Sequence, residues 1–345
     1  MKTEKTILST SGLYNINKDV PEISVMERFG ISAALFTENR CSTFHGFPIL
    51  PELRNELYID ENVRAVCVAG HDTAAASCII PSENGTSPVL FGNIKTSVPF
   101  VISGTWSMMG IGLSHPFIGK EMYDRSFVNM AGVNYNTLIL KGISGLFVMY
   151  RCREHFRNKT GKKITFDEME KAATVIPRAE YLIDLSHPIF GSFCDDMPFE
   201  IKKYCQITGQ REPDTDSPGM LARCVYDSLA LEYAYTMENI SEALGRQWNE
   251  FYVTGGGACD AEFCRTIADA TGMTVIAGIK NASAAGNVAM QLVACGKINS
   301  LDDIPSMIMS SYRPQVFIPD ASKKDFWRNA FTKYKKLKYA IYNIT

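Results

Sequence analysis

The stretch "NEFYVTGGGACDAEFCRTIADATGMTVIAG", residues 249–278, decides the fold class of this chain. A short apolar run leads through three glycines into a segment with helical spacing, and a second β-branched run follows. This order predicts a βαβ unit, with a strand, a glycine turn, a helix and a second strand. Glycine-turn N–H groups and helix N-termini both favour anions, so Gly255, Gly256 and Gly257 are candidates for a nucleotide site. The turn matches neither GxGxxG nor GxxxxGK[ST], and a flexible strand–helix connection remains the alternative.

The segments on either side predict more strands and helices in alternation. Helical spacing or cap residues predict helices at 137–157, 216–245, 281–296 and 320–337. Short apolar runs predict strands of one sheet at 65–70, 87–92 and 99–104. The helix at 216–245 carries the clearest signals, because Ser217 suits its N-cap and Gly245 its C-terminal end. We therefore expect an α/β fold with a largely parallel sheet.

The composition is that of an ordinary globular protein. The 345 residues are 46% hydrophobic and 21% charged, with a net charge of −2, which does not predict binding to nucleic acid or to an anionic membrane. The sequence shows no apolar signal core and no apolar run of 18 residues, so we expect a cytoplasmic protein. The ten cysteines are scattered in a pattern that fits no metal site, and we interpret them as small apolar residues in a reducing compartment.

Polar residues follow three of the predicted strands, in "GHDT" (70–73), "SGTWS" (103–107) and "TGGG" (254–257). In open α/β sheets, ligands bind beyond the carboxyl ends of the strands. Asp72 could accept a proton from a substrate hydroxyl, a role that suits a weak base when a loosely bonded phosphoryl group is transferred. The alternative is a helix cap, since Asp72 precedes the helical "TAAAS".

Neighbouring side chains could assist at these loops. His71 and Thr73 could orient the same substrate by hydrogen bonds, although a histidine near a strand end is commonly structural. Thr105 offers a hydroxyl beside a glycine that lets a ligand approach the backbone, and a plain turn is its alternative.

Taken together, these stretches resemble the FGGY carbohydrate kinases, and within that family the rhamnulokinase branch. "AGHDTAAAS", "VISGTWSMMG", "LIDLSHPIF", "SPGMLARCVYDSLALEY" and "VTGGGACDAEFCRTIADATGMTVIAG" occur in the family's order over nearly the whole chain. The resemblance implies an actin-like ATPase (ribonuclease H-like) fold, with two α/β domains around a cleft. It further implies ATP- and Mg²⁺-dependent phosphorylation of a sugar hydroxyl, with L-rhamnulose or a related ketose as the substrate.

The resemblance assigns roles to the loop residues. Asp72 matches the family's proton acceptor, and His71 and Thr73 flank it at the sugar. Thr105 matches the residue near the ATP phosphates, and Gly256, within the triple glycine, matches the nucleotide contact. We predict no protein-bound metal site.

The resemblance also implies a boundary in the chain. The family's phosphate-binding hairpin of the Asp-x-Gly-Thr-x-Ser kind is not found here. We therefore expect residues 1–62 to be a remnant of the N-terminal kinase domain with an interdomain segment, and residues 63–345 to be the C-terminal actin-like domain. A separate first domain, or self-association, would cover the exposed cleft face.

Several positions depart from the family pattern. Gly142 stands where an asparagine that contacts substrate is usual, and Tyr150 where a nucleotide-contacting glutamine is usual. Asp260 would place negative charge near a nucleotide, and a carboxylate about 5 Å from a phosphate costs roughly 3 kcal/mol at an effective dielectric constant near 20.

Two further hypotheses remain beside an active kinase half. These departures are also compatible with a degenerate relative that binds nucleotide or sugar, or with a partner subunit without catalysis. A Rossmann-type methyltransferase or dehydrogenase would need an acidic residue at the end of the next strand, where Lys280 stands instead.

Overall fold

The computed structural model describes residues 4–36, 46–82, 87–89, 92–133, 137–191, 194 and 196–342. Its α-helices are α1 (Lys5–Leu8), α2 (Ile23–Arg28), α3 (Pro51–Leu57), α4 (Asp72–Ser77), α5 (Lys120–Asp124), α6 (Phe147–Thr160), α7 (Phe166–Ala173), α8 (Met197–Ile207), α9 (Pro218–Leu244), α10 (Ala261–Thr271), α11 (Ala282–Ala294), α12 (Ile304–Ser311) and α13 (Lys324–Tyr342). Its strands are β1 (Tyr14–Asn15), β2 (Val20–Pro21), β3 (Gly46–Pro48), β4 (Arg64–Val66), β5 (Ser87–Val89), β6 (Gly92–Ile94), β7 (Phe100–Ser103), β8 (Ser107–Leu113), β9 (Val128–Ala131), β10 (Thr137–Ile143), β11 (Glu250–Thr254), β12 (Thr274–Ala277) and β13 (Gln315–Phe317). Short 3-10 turns lie at Ala33–Leu35, Pro188–Phe190, Gly256–Cys259, Leu301–Asp303 and Ala321–Lys323.

The main sheet has seven strands in the order β13-β12-β11-β7-β8-β10-β9. Strand β11 runs parallel to β7 and to β12, and the other neighbouring pairs are antiparallel. The expectation of a largely parallel sheet is therefore wrong. A short turn joins β7 to β8, and only antiparallel strands can be joined without a long crossover. This turn therefore makes β7 and β8 an antiparallel pair.

The stretch at 249–278 forms the predicted unit. Strands β11 and β12 pair in parallel from Glu250 opposite Thr274 to Val253 opposite Ala277, and α10 connects them. The predicted N-cap of α9 is confirmed, because the Ser217 side chain accepts a hydrogen bond from the Met220 N–H at 3.2 Å. The helices predicted at 281–296 and 320–337 correspond to α11 and α13.

The predicted helix at 137–157 is wrong in its first half, which is strand β10. Leu138 and Leu140 pack on one face of the sheet, and Ile139 and Ile143 pack on the other. Because both faces are covered, the strand lacks the alternation of apolar and polar residues that marks a half-exposed strand. Only the part from Phe147 onward is helical.

Two other predicted strands lie outside the main sheet. In the run at 65–70, only the first residues are extended, and β4 pairs with β3 in a separate ribbon. In the run at 87–92, β5 pairs with β6, and residues 90 and 91 lie outside the described residues. The apolar run before Gly70 predicts a buried strand, yet Ala65 is exposed and only Ala69, which is 6% exposed, is buried.

Helices cover the main sheet on both faces. Helices α6, α8, α9 and α10 form one layer around a core that includes Val101 and Phe251. Helices α4, α11 and α12 form the other layer around Phe100 and Tyr252. Helix α13 packs against α9 outside the first layer. The result is the helix–sheet–helix arrangement expected of an α/β domain.

The cysteines mostly agree with the prediction of unpaired apolar residues. In the described part of the chain, eight cysteines are free, and five of these are fully buried: Cys78, Cys152, Cys205, Cys224 and Cys264. Cys67 is disulfide-bonded, so the prediction fails at that position. Among the described helices, none is long and apolar enough to cross a membrane.

Candidate active site

Asp72 is the first residue of α4, and His71 is its N-cap. The Thr73 N–H donates to Asp72 Oδ1 at 2.7 Å and to His71 Nδ1 at 3.2 Å. The helix cap predicted as the alternative role of Asp72 is thus supplied by His71. The Asp72 side chain is 81% exposed, and its Oδ2 has no hydrogen-bond partner among the described residues. An ionised carboxylate with one free oxygen can accept a proton there.

Thr73 occupies a different environment from Asp72. It is 4% exposed, and its hydroxyl lies 3.4 Å from Asp72 Oδ1. In this chain Thr73 therefore contacts the carboxylate rather than open space. The His71 side chain is half-buried, 3.2 Å from Asp72 Oδ1 through its Nδ1.

The N-terminal helix α1 holds the turn that carries Asp72. Glu4 Oε2 accepts a hydrogen bond from the Gly70 N–H at 3.0 Å, and the Thr6 hydroxyl oxygen accepts one from the His71 N–H at 3.1 Å. The Thr6 hydroxyl in turn donates to Glu4 Oε2 at 2.5 Å. The sequence analysis missed Glu4 and Thr6, because no local pattern links residues so far apart along the chain.

Thr105 lies in the turn between β7 and β8 and is exposed. The turn is attached to the start of α6, because the Leu146 N–H donates to the Gly104 carbonyl at 3.0 Å and the Phe147 N–H donates to the Thr105 carbonyl at 2.9 Å. Trp106 stacks on Phe147, with ring centroids 6.3 Å apart. The Thr105 hydroxyl is left exposed on a turn whose backbone is held in place.

The triple glycine packs directly on the end of β7. Gly255 has φ +87°, and a Cβ on it would lie 2.5 Å from the Ser103 carbonyl oxygen. A Cβ on Gly257 would lie 2.3 Å from Ser103 Oγ, whereas one on Gly256 would meet its nearest atom, the Ser103 carbonyl oxygen, at 3.9 Å. Gly255 and Gly257 thus permit the close approach of two backbones, and exposed Gly256 leaves room for a ligand.

The structure brings two of the three predicted loops together. Ser103 lies between the Thr105 turn and the triple glycine, so these loops form one continuous surface at the end of the sheet. Asp72 does not contact them. Its helix α4 packs instead against α11, which follows β12, and Gly286 allows this packing because a Cβ there would lie 1.9 Å from the Ala75 carbonyl oxygen.

Asp260 is engaged by the protein itself. Its Oδ1 accepts the Phe263 N–H at 2.8 Å as the N-cap of α10, and its Oδ2 accepts a hydrogen bond from the Tyr226 hydroxyl. Burial, with a smaller contribution from the charge of nearby Glu170, raises the pKa of Asp260 to about 7. The repulsion expected between a fully ionised Asp260 and a nucleotide is therefore reduced near neutral pH.

The other departures from the family pattern lie at the surface. Gly142 is exposed on the face of β10 opposite to Lys141, beside Met108. Tyr150 is 42% exposed on α6. Within the described ranges, no group of three or more His, Cys, Asp or Glu residues could hold a metal ion.

The chain is similar to known sugar kinases. The model of the FGGY family of carbohydrate kinases, C-terminal domain, matches residues 99–295, which include Thr105 and the triple glycine but not Asp72. A rhamnulokinase of Oceanobacillus iheyensis is 29% identical over 90% of this chain, and one of Enterobacter sp. (strain 638) is 28% identical over 92%. The chain spans only 61% and 60% of these two relatives.

Solved structures of sugar kinases share the fold. The ligand-bound xylulose kinase of Lactobacillus acidophilus superposes with a TM-score of 0.71 at 14% identity, over 98% of this chain and 64% of that protein. The glycerol kinase of Plasmodium falciparum with ADP gives a TM-score of 0.67 at 13% identity, over 97% of this chain and 63% of that protein. The mixed sheet with helices on both faces is that of the C-terminal domain of the actin-like ATPase fold.

Proposed function

The chain belongs to the FGGY family of carbohydrate kinases, and on this basis we propose that it is the nucleotide-binding part of a kinase for a ketose sugar. The reaction is transfer of the γ-phosphoryl group of ATP to a sugar hydroxyl. The rhamnulokinase relatives support L-rhamnulose or a closely related ketose as the acceptor. The observation that carries the proposal is the exposed Asp72 carboxylate, held at a helix N-terminus with one oxygen free.

Asp72 is proposed to accept the proton of the attacking hydroxyl. A carboxylate is a weak base, and it suffices because little proton transfer is needed before the phosphoryl group leaves its donor. The contacts from Glu4 and Thr6 restrict the backbone on the N-terminal side of Asp72. The Thr73 N–H and hydroxyl restrict its Oδ1, which leaves Oδ2 for the substrate.

The Thr105 turn and the triple glycine are proposed to hold ATP. Gly256 offers open space, and the Gly256 and Gly257 N–H groups have no acceptor in the described part of the chain. Such N–H groups and the Thr105 hydroxyl suit phosphate oxygens. Bound Mg²⁺ would neutralise phosphate charge and would be held mainly by the phosphates of the nucleotide.

We also propose that a first kinase domain completes the cleft. The segment before Gly70 leaves several large apolar side chains exposed: Phe29 is 72% exposed, Leu35 67%, Leu50 63% and Tyr58 96%. The rhamnulokinase relatives are longer than this chain. A domain equivalent to the part of those relatives outside the matched region suits this apolar surface, with self-association as the alternative.

A catalytically degenerate binding subunit is the second candidate. Asp260 is already held by the Tyr226 hydroxyl and the Phe263 N–H, and Gly142 lacks the side chain that is usual at its position. These observations favour a chain in which the ligand contacts at Asp260 and Gly142 are weakened while the Asp72 turn is retained.

The test is an assay of ATP-dependent phosphorylation of L-rhamnulose by this chain, alone and with the remaining part of the Oceanobacillus iheyensis rhamnulokinase added. We expect activity in the mixture, and we expect Asp72→Asn to lower turnover by roughly 10²–10⁴ while Mg-ADP binding measured by calorimetry is retained. Near-normal turnover of Asp72→Asn would remove Asp72 from the role. Absence of Mg-ADP binding even in the mixture would favour the degenerate subunit.

A further inference from the structure

A cavity of about 690 Å³ lies between α9, α10 and the start of α13, at the end of the sheet away from the triple glycine. Its wall includes Asn249 and Met273, the residues directly before β11 and β12. The triple glycine follows the other end of β11, and a strand of that length spans roughly 16 Å. The cavity is lined by none of Asp72, Thr105 and the three glycines, all of which the structure describes. Its size is within the range of small-molecule sites.

Ser241 offers this cavity a hydroxyl that the fold leaves unused. It lies in the last turn of α9, lines the cavity and is 5% exposed. Among the described residues its Oγ has no hydrogen-bond partner, whereas the hydroxyl of Ser228 on the same helix donates to the Cys224 carbonyl at 2.6 Å. A buried hydroxyl without a partner costs free energy, and a ligand that hydrogen-bonds to it would recover that cost.

Gln247 and Asn249 add two carboxamides at the rim. Both residues are exposed and line the cavity, and neither side chain has a hydrogen-bond partner within the described ranges. A carboxamide presents an acceptor oxygen beside an NH₂ donor. Such a pair complements the edge of another amide or of a lactam, as when asparagine or glutamine binds the edge of a nucleobase. The rim therefore favours a ligand that both donates and accepts along one edge.

The charges around the cavity balance one another. Three groups of ion pairs hold the charged side chains of the wall: Glu238 with Lys335, Arg328 with Asp325, and Lys323 with both Asp269 and Asp320. Lys324 is exposed, has no ion pair in the part of the chain that the structure describes, and offsets the remaining carboxylate. An ion of either sign would add uncompensated charge to a partly buried place, which is costly, whereas a neutral ligand would not.

Aromatic rings form much of the remaining wall. Trp248 and Trp327 line the cavity and are 7% and 2% exposed, and the buried Nε1 of each has no acceptor in the described chain. Phe331, Met237 and Met273 add apolar, polarisable surface. A wall of this kind suits a planar ring.

We propose that this cavity binds a neutral heteroaromatic molecule with an amide or lactam edge, such as a pyridine carboxamide or a pyrimidine base. The ring lies against the aromatic wall, and its edge exchanges hydrogen bonds with Ser241, Gln247 and Asn249. An uncharged ligand leaves the ion pairs of the wall intact. The site is additional to the proposed kinase reaction and does not depend on it.

The test is titration of the full chain with nicotinamide and with uracil, followed by NMR of the indole N–H signals of its three tryptophans. We expect saturable shifts of the Trp248 or Trp327 signal, with a Kd in the millimolar range or tighter for at least one of the two compounds. The signal of Trp106, which lies beside Thr105, should stay unchanged. Nicotinate is the matched anion and pyridylmethylamine the matched cation, and both are expected to bind at least fivefold more weakly.

Variants of the polar lining test the contacts. Ser241→Ala removes a hydroxyl that bonds to no described group, so the fold should be retained while binding weakens about fivefold. Gln247→Ala combined with Asn249→Ala changes only exposed side chains and should weaken binding at least tenfold. Thr236→Val is the matched control, because its hydroxyl is also buried on α9 without a partner in the described chain but does not line the cavity. Thr236→Val and Asp72→Asn are expected to bind like the wild type.

Four results would overturn the proposal. The first is the absence of a saturable shift of Trp248 and Trp327 with both neutral compounds, and the second is tighter binding of nicotinate or of the amine. The third is displacement by saturating Mg-ADP, which would place the binding in the nucleotide site. The fourth is wild-type affinity in the double variant at Gln247 and Asn249, once circular dichroism has shown that it is folded.

Discussion

The hydroxyl oxygen of Thr6 accepts a hydrogen bond from the backbone N–H of His71, 65 residues further along the chain, at 3.1 Å. Together with the contact from Glu4 to Gly70, this bond attaches α1 to the turn that carries Asp72. A single bond of this kind contributes about 1 kcal/mol. Helix α1 therefore belongs functionally to the candidate active site, although it lies at the other end of the sequence from the triple glycine.

Loss of the Thr6 hydroxyl is expected to loosen the Asp72 turn. In Thr6→Val we expect the His71 N–H to exchange with solvent about fivefold faster, which corresponds to about 1 kcal/mol. Amide hydrogen exchange followed by NMR measures this directly. Thr10→Val is the matched control, because the Thr10 hydroxyl donates only to the Ile7 carbonyl at the end of α1. Equal His71 exchange rates in the two variants would contradict the positioning role.

Stability is expected to depend on pH through Asp260. Burial raises its pKa from the usual 3.8 to about 7, so between pH 4 and 7 the folded chain keeps a proton that the unfolded chain releases. The free energy of unfolding therefore falls as pH rises through this window and levels off above it. In Asp260→Asn this contribution disappears, and we expect the variant to gain at least about 1 kcal/mol relative to the wild type between pH 4.5 and 7.5.

Urea denaturation at several pH values measures this difference. Tyr226→Phe is the second variant. Its missing hydroxyl no longer stabilises the ionised carboxylate, so the pKa of Asp260 should rise, and the pH range over which stability falls should extend to higher pH. A wild type and an Asp260→Asn variant with parallel pH profiles would show that Asp260 does not titrate in this range.

Gly255 and Gly256 are expected to differ sharply in their tolerance of alanine. Gly255→Ala combines a left-handed backbone with a Cβ 2.5 Å from the Ser103 carbonyl oxygen, and it should cost about 2–4 kcal/mol of stability. Gly256→Ala meets its nearest atom at 3.9 Å and should cost less than about 1 kcal/mol. Urea denaturation of both variants is the measurement. Equal losses would mean that the turn does not pack on β7 as described.

The buried Lys338 is expected to stabilise the chain far more than its partly exposed neighbour Lys335. Burial alone would lower its pKa, but the carboxylates of Glu232 and Asp184 raise the pKa of Lys338 to about 12. Lys338→Met leaves both carboxylates without this partner and should cost about 3–5 kcal/mol. Lys335→Met breaks a partly exposed pair with Glu238 and a contact of the ammonium with the Phe331 ring, and it should cost about 1 kcal/mol. Thermal unfolding of both variants tests this, and a small effect at Lys338 would count against a buried network.

Local signals in the sequence were sufficient for part of the fold. The β11–α10–β12 unit, the caps Ser217 and Gly245, and the α/β class follow from spacing and from residues within one or two turns of each other. The same local signals placed Asp72, Thr105 and the triple glycine at loops, because each follows a break in an apolar run. Whether these residues act in a kinase stays a prediction.

The tertiary structure alone decided which strands are neighbours and which side chains hold the site. Strand β10 could not be predicted, because burial on both faces removes the alternation of apolar and polar residues. The position of β4 outside the main sheet could not be predicted either, because its pairing with β3 is a long-range contact. The support that Glu4 gives to Gly70, and the burial that raises the pKa of Asp260, depend on elements far apart in sequence. Such contacts leave no local pattern, since they arise only when the whole chain packs.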